Sequence, residues 1–497
     1  MPIDDILQNR REKAQKLATA GWPAYPNGFQ VTHTAADVRS APGTPVQGEP
    51  QPTDPKFRVA GRIKRLQLGK MTWIDLYDRT GKIQVQLKKD ILGDETFEKV
   101  KLLDIGDIIV VEGPRFLTRT GELTIQAREV LLATKSMYPL PDTTGHFGLE
   151  DIELRYRERY VDLIVNKDTP DVFKKRSKLI RSIRKFLDDL DFLEVETPML
   201  HSLISGAAAK PFVTHHNALD MDLYCRIAPE LHLKRLVVGG FERVYEIGRN
   251  FRNEGLSTQH NPEFTMLEFY WAYQTYLGLM DQTEAMFRGA AEVVTGTLEV
   301  PYTMAPGTEP VILDFQKPFR RLPVREGLLD KIRGLDLKDP GALVAAGKAR
   351  GVALDEKAPA GKLQMDLFEH LYKDELVQPT FVVDFPIEVS PLARRKNSDP
   401  TLADRFELYI TNREIANAFS ELNDPDDQRS RFQAQVDAKK KGAEETMDYD
   451  EDYCHALEIG MPPAAGEGVG IDRLCMILTN SPSIRDVILF PQMRRTV

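Results

Sequence analysis

The sequence predicts an α+β protein, with a small all-β barrel towards the N-terminus and a larger domain whose mainly antiparallel sheet is flanked by helices. Three observations predict it. Residues 57–132 hold short alternating runs divided by turn residues, the mark of a strand-rich module. Residues 249–270 read as two alternating strands around a polar loop, and residues 405–421 alternate likewise. Val172, Leu179, Ile183, Phe186 and Leu190 recur near helical spacing until Asp191 ends the pattern.

In chain order, residues 1–20 read as a helix and 21–56, rich in Pro, Gly and Thr, as an irregular linker. Five strands follow at about 57–66, 72–77, 82–88, 107–112 and 123–131, with a tight turn at Asp78-Arg79-Thr80-Gly81. Their number and length suit a small OB barrel, a fold that commonly binds single-stranded nucleic acid. Alternation turns Ile74, Leu76, Ile83, Val85 and Leu87 inward. It leaves Trp73, Asp75, Tyr77, Gln84 and Gln86 outward, a stacking ring beside a base-edge reader. Tyr138-Pro139-Leu140-Pro141 reads as a hinge, and the helix near 172–190 leads into a strand over 192–198 closed by Pro198. Residues 305–375 carry no chemical motif and read as an insertion into the sheet.

Chemistry concentrates in three later segments. Asn250, Arg252 and Glu254 share one strand face; after a loop over 255–262, Phe264, Met266, Glu268 and Tyr270 share another. A guanidinium, carboxylates and an aromatic ring on one surface suit a planar base, a phosphate and an amine. Taken alone, an Arg and a Glu two apart are more often a solvated face. Gly466, Gly468 and Gly470 leave one strand face bare, and Arg473 follows at a helix start, where anions are favoured. The spacing and the missing βαβ context exclude a dinucleotide fingerprint. Asn417, Phe419 and Glu421 alternate, whereas Glu414 has the wrong parity to join them, so a bulge or turn near Ile415 is required. Glu407 and Glu414 are hard oxygen donors of the kind Mg²⁺ accepts.

Together the helix and Pro198, residues 252–268 and residues 466–473 resemble motifs 1, 2 and 3 of class II aminoacyl-tRNA synthetases, in that order. Ala228-Pro229-Glu230-Leu231, Phe251-Arg252-Asn253-Glu254, the run from Phe419 to Asp424 and Gly470-Ile471-Asp472-Arg473 resemble the bacterial-type lysyl-tRNA synthetases. The likeness spans about residue 57 to residue 495. Ser205-Gly206-Ala207 departs from a common Gly-Gly-Ala but keeps Gly206, and Trp73 stands where phenylalanine is more usual.

The resemblance implies a class II sheet over 146–497 with an OB-fold anticodon-binding domain over 57–145, after a helix and linker over 1–56. It implies activation of L-lysine with ATP, Mg²⁺ as cofactor, and transfer of lysine to the 3′ end of tRNA(Lys). Arg252 and Arg473 are the implied catalytic cations, and ATP is met by Arg252, Glu254, His260, Phe264 and Arg473. Lysine is met by Gly206, Glu230, Arg252, Glu268, Tyr270, Asn417, Phe419 and Glu421. Glu421 and Tyr270 receive its ε-ammonium, with Glu268 in support, and Glu230 with Gly206 takes its α-amino group. Glu407 and Glu414 are the implied metal ligands, and Trp73, Gln84 and Glu129 the implied anticodon readers. The motif 1 helix and strand imply a homodimer.

The 497 residues suffice for two or three domains. Cys225, Cys454 and Cys475 are odd in number and scattered, which argues against a disulfide framework and for a reducing cytoplasm. His215-His216 reads as a structural pair, and neither a signal peptide nor a membrane span is expected. The net charge of −9 leaves RNA contact to local patches such as Arg62, Lys64, Arg65 and Lys70. An aspartyl or asparaginyl enzyme is disfavoured by Glu230 and Glu421, which would repel an acidic substrate. A protein-lysylating paralogue typically lacks the barrel, and a non-catalytic one would have lost Arg252, Glu254 or Arg473.

Overall fold

The computed structural model describes residues 2–51, 53–141, 149–207, 209–305, 307–440 and 447–495. The chain divides into two compact units, Met1–Thr169 and Pro170–Val497. The boundary expected between 145 and 146 lies outside the described residues.

The first unit runs α1 (Ile3–Thr19), α2 (Ala35–Ser40), β1 (Val46–Gln47), β2 (Lys56–Gln67), β3 (Met71–Asp78) and β4 (Gly81–Lys88). It continues with α3 (Lys89–Leu92), α4 (Asp94–Val100), β5 (Ile108–Leu117), β6 (Leu123–Gln126), β7 (Glu129–Thr134), α5 (Ile152–Arg157) and α6 (Arg159–Val165). The order β5-β2-β3-β4-β6 closes on itself because β6 also pairs with β5, giving a five-stranded OB barrel. Closure removes the free edges an open sheet would present. Ile74, Leu76, Ile83, Val85 and Leu87 fill its core as alternation requires. The expected last strand is broken into β6 and β7. Gln86 departs from expectation: it is buried and its amide accepts from Gln126 at 3.1 Å. Residues 21–56, read as an irregular linker, contain α2 and β1 and contribute Trp22, Ala35 and Val38 to the same core.

The second unit begins one residue inside α7 (Thr169–Asp189), which packs Leu179, Ile183 and Leu187 inward, and Asp191 turns the chain at φ 62°. Next come β8 (Leu193–Glu194), β9 (Leu200–His201), β10 (Val213–His216), β11 (Met221–Cys225), α8 (Glu230–Val238), β12 (Arg243–Phe251), β13 (Glu263–Ala272) and α9 (Tyr276–Thr295). The expected strand over 192–198 is thus only two residues long. Residues 299–372 hold the hairpin β14 (Glu299–Tyr302) and β15 (Val311–Asp314), then β16 (Arg320–Pro323), α10 (Val324–Lys331), α11 (Pro340–Lys348) and α12 (Ala360–Tyr372). Within the stretch read as an insertion, about 305–375, β16 pairs with the main sheet and the helices share a core of their own around Leu328, Leu363 and Phe368.

The remaining elements are β17 (Thr380–Val383), β18 (Arg395–Lys396), β19 (Asp399–Ala403), β20 (Arg405–Ile410), β21 (Arg413–Ser420), α13 (Pro425–Lys440), α14 (Glu451–Gly460), β22 (Ala464–Gly470), α15 (Ile471–Leu478) and α16 (Ile484–Val487). Eight strands form the main sheet in the order β16-β17-β20-β21-β22-β13-β12-β8. Only β16–β17 and β12–β8 are parallel, so the sheet is mainly antiparallel. On one face α7, α9 and α15 bury the largest hydrophobic cluster. The central strands β21, β22 and β13 present the other face, which holds the site.

Candidate active site

A cleft of about 350 Å³ lies over β13, β22 and β21. Most residues expected at the site line it: Gly206, Glu230, Arg252, Glu254, His260, Phe264, Glu268, Tyr270, Glu414, Asn417, Phe419 and Arg473. Glu407 and Glu421 are not among the lining residues.

At one end the groups suit a nucleotide. The β12–β13 ladder runs from Arg243↔Trp271 to Phe251↔Glu263 and stops there. Arg252 and Glu254 therefore leave the connecting loop, not the strand face on which alternation placed them. Pro262 is the physical reason: it accepts from the Arg252 N–H at 2.9 Å but has no N–H to return. Asn250 remains on the strand and is buried, its amide against the Met266 sulfur at 3.4 Å. The Arg252 guanidinium sits 5.2 Å over the Phe264 ring.

Arg473 donates to the Glu414 carbonyl at 2.6 Å and lies 3.4 Å from His260 Nε2. Desolvation, with the adjacent Arg473 charge, holds His260 below the usual imidazole range. Asp472 fixes this corner. It accepts from the Thr265 N–H at 2.7 Å and pairs with Arg176 of α7 at 2.6 Å, so β13, α15 and α7 are tied at one carboxylate.

The parity problem at Glu414 resolves where it was expected. Leu408 registers with Ala416 and Tyr409 with Glu414, so Ile415 is the extra residue of a bulge. Glu414 thereby joins Asn417 and Phe419 in the cleft. Glu407 registers with Asn417 on the same face of the sheet but is covered by its neighbours: Arg405 reaches it at 2.5 Å and the Tyr409 hydroxyl at 2.8 Å. Burial raises its carboxyl above the usual range, Arg405 opposes that, and the Glu414 charge adds to it. Arg405 also donates to Asn417 Oδ1 at 3.1 Å. Among the described residues no group of three metal-binding side chains occurs, His215 and His216 included.

At the other end the cleft is acidic. Glu230 opens α8, Glu268 stands on β13 and Glu421 follows β21, all at most 7% exposed. Tyr270 donates to Glu268 at 3.4 Å, and burial together with the Glu230 charge raises the Glu268 carboxyl well above its ordinary range. Sequence reasoning missed Lys234. Its ammonium, fully buried, lies 2.6 Å from Glu230 and is ion-paired with Glu421. The signal available was a lysine one turn after Glu230, flanked by Leu231, Leu233 and Val237, which must find a carboxylate if buried. Gly206 adopts φ +85°, a conformation glycine alone takes easily, and a Cβ there would press on Ala228 at 3.2 Å.

In the barrel, Trp73 is half-buried on β3 and registers with Gln86, while Gln84 on β4 registers with Asp75. Trp73 and Gln84 are thus diagonal neighbours on one outward face. The Gln84 side-chain oxygen already accepts from Thr124 at 2.8 Å. Glu129 opens β7 and pairs with Arg58 at 2.5 Å.

This cleft on an antiparallel sheet, with an arginine at each side of a nucleotide-sized space, defines a class. The family described as class II tRNA synthetases (D, K and N) matches residues 151–494, and the OB-fold nucleic acid binding domain family matches 57–133. The chain belongs to the class II tRNA synthetases. Within that class it is 51% identical to the lysine–tRNA ligase of Pelotomaculum thermopropionicum over 99% of this chain and 95% of that protein. The lysine–tRNA ligases of Burkholderia ambifaria and Carboxydothermus hydrogenoformans are 49% and 48% identical, over 99% of this chain and 97% and 98% of theirs.

Proposed function

We propose that this protein activates L-lysine with ATP to lysyl-adenylate and transfers the lysyl group to the 3′ end of tRNA(Lys). The observation that carries the reading is the charge of the amino-acid end. Glu230, Glu268 and Glu421 converge there against one internal cation, Lys234. An aspartate or asparagine side chain would add nothing to balance that charge, whereas the two ammonium groups of lysine do.

The chemistry follows from charge. The lysine carboxylate is already ionised, so it needs no base to attack the α-phosphorus; it needs alignment and screening from a second anion. Arg252 would meet both the carboxylate and the α-phosphate, and Arg473, with His260, the far end of the triphosphate. Phe264 stacks on adenine opposite Arg473, and Glu254 accepts from the adenine amino group. Glu230 and Gly206 take the α-amino group; Glu421 and Tyr270 the ε-ammonium. Asn417 and Phe419 shape the pocket between them.

Glu407 and Glu414 would hold Mg²⁺. They suit a hard divalent cation as two carboxylates near enough for the Glu414 charge to act on Glu407, with Arg405 already paired to Glu407. Bound there, the metal would neutralise triphosphate oxygens. Trp73, Gln84 and Glu129 would read the anticodon from the barrel. Leu193, Met199, Leu200 and Leu203, apolar yet exposed just after α7, support a homodimer through that helix and strand. Among the described residues no helix is long and apolar enough to cross a membrane, and we place the enzyme in the cytoplasm.

The test is ATP–pyrophosphate exchange with lysine, aspartate or asparagine supplied separately. Exchange with lysine alone is expected; exchange with either of the others would overturn the pocket reading.

A further inference from the structure

The amino-acid end of the cleft contains an ammonium group of its own. Lys234 has no exposed surface and lies one helical turn beyond Glu230 on α8. Its Nζ is 2.6 Å from Glu230 and paired with Glu421, which the chain brings in from the end of β21. The Phe419 and Tyr270 rings stand 5.2 and 5.9 Å from it. Burial disfavours the charged form, but the two carboxylates outweigh it and hold the proton on Lys234. Four of the side chains around this ammonium, beside Tyr453, are ones assigned to substrate: Glu230 for the α-amino group, Glu421 and Tyr270 for the ε-ammonium, and Phe419 for the wall between.

We infer that Lys234 is a positioning residue that fixes the separation of the two amine acceptors and so sets the length of the diamino acid the site takes. The inference rests on the lysine reading above. Two carboxylates bonded to one Nζ cannot move independently, and nothing else bonds the Glu421 carboxylate among the described residues. Its backbone is fixed through an N–H donated to Ala464 at 2.8 Å, which leaves the side chain's direction to Lys234. Without that ammonium, two buried carboxylates would repel and either part or take up a proton. A lysine serving only α8 would need Glu230 alone; the bridge to Glu421 ties the two ends of the substrate pocket together.

The experiment compares lysine with ornithine, one methylene shorter, in ATP–pyrophosphate exchange by the wild type, Lys234→Met and Lys234→Arg. One methylene in a shaped pocket is worth about 10- to 200-fold in kcat/KM. Both variants should lose at least about tenfold of the lysine-to-ornithine ratio, with the KM for ATP little changed. Methylammonium or ethylammonium added to Lys234→Ala should restore part of that ratio, which a purely structural residue would not allow. An unchanged ratio in folded variants, however low their activity, overturns the inference. Lys234→Arg retains the charge and carries the test should Lys234→Met not fold. Wild-type protein without lysine-dependent exchange would instead overturn the proposed function.

Discussion

Tyr270 and Gly466 face each other across β13 and β22, and the tyrosine ring occupies the space a side chain at 466 would need. A Cβ on Gly466 would fall 2.3 Å from Tyr270 Cε1 and 2.5 Å from Glu421 Oε1. The bare strand face therefore seats the two groups proposed to receive the ε-ammonium.

Gly466→Ala should consequently act on lysine more than on ATP. Overpacking of this kind costs about 1–3 kcal/mol in stability. The displaced Tyr270 and Glu421 should raise the KM for lysine at least about tenfold, a loss of about 1.4 kcal/mol of binding. Gly468→Ala provides the contrast, since its Cβ would press on the flexible end of Met266 at 2.9 Å and meet Glu268 only at an ordinary 3.7 Å. Its stability should fall less. Steady-state exchange kinetics and thermal melts on both variants check this; equal damage would mean that strand geometry, not Tyr270, governs the effect.

Glu421→Gln should weaken lysine and spare ATP. It removes one carboxylate of the pocket and leaves Lys234 with Glu230 alone. A hydrogen bond to a charged group is worth about 1.5–3 kcal/mol, so the KM for lysine should rise by about 10- to 100-fold. Binding of each substrate measured by calorimetry separates the outcomes, and equal loss of lysine and ATP affinity would refute the assignment.

Local pattern carried much of this site, and long-range pairing hid the rest. Alternation placed Phe264, Met266, Glu268 and Tyr270 on one strand face, and parity alone demanded the bulge now found at Ile415. The same alternation ran on through Arg252 and Glu254, because nothing in period-two spacing shows that the partner opposite is a proline. Lys234 was illegible for a different reason: its second carboxylate, Glu421, comes from a distant strand. Residues 21–56 misled through sparse apolar residues without period, although Trp22 and Val38 fill the barrel core. β16 is too short, with only Leu322 fully inward, to stand out from the helices around it.

Trp73→Ala should separate the two steps of the reaction. The ring is half-buried on the outward side of β3, beside Gln84 and away from the Ile74 and Leu76 core. Stacking on one base is worth about 1–3 kcal/mol, so aminoacylation of tRNA(Lys) should fall by about 10- to 100-fold. Exchange with lysine and ATP should stay near the wild-type rate. Loss of both activities together with a lower melting temperature would make Trp73 a packing residue and end the stacking idea.

Glu467 gives the fold a pH dependence of known sign. Its side chain points from β22 towards α9, fully buried, with the Thr283 hydroxyl at 2.6 Å. Burial pushes its carboxyl from an ordinary 4.5 up to about 8. Between those values the folded protein keeps a proton that the unfolded chain has released. The stabilisation is therefore complete below the lower value and is lost as pH rises through the upper one. Glu467→Gln cannot ionise, so it should flatten the decline in melting temperature from about pH 5 to about pH 9 and exceed the wild type at the alkaline end. Parallel curves for the two proteins would show that Glu467 carries its charge in the folded state after all.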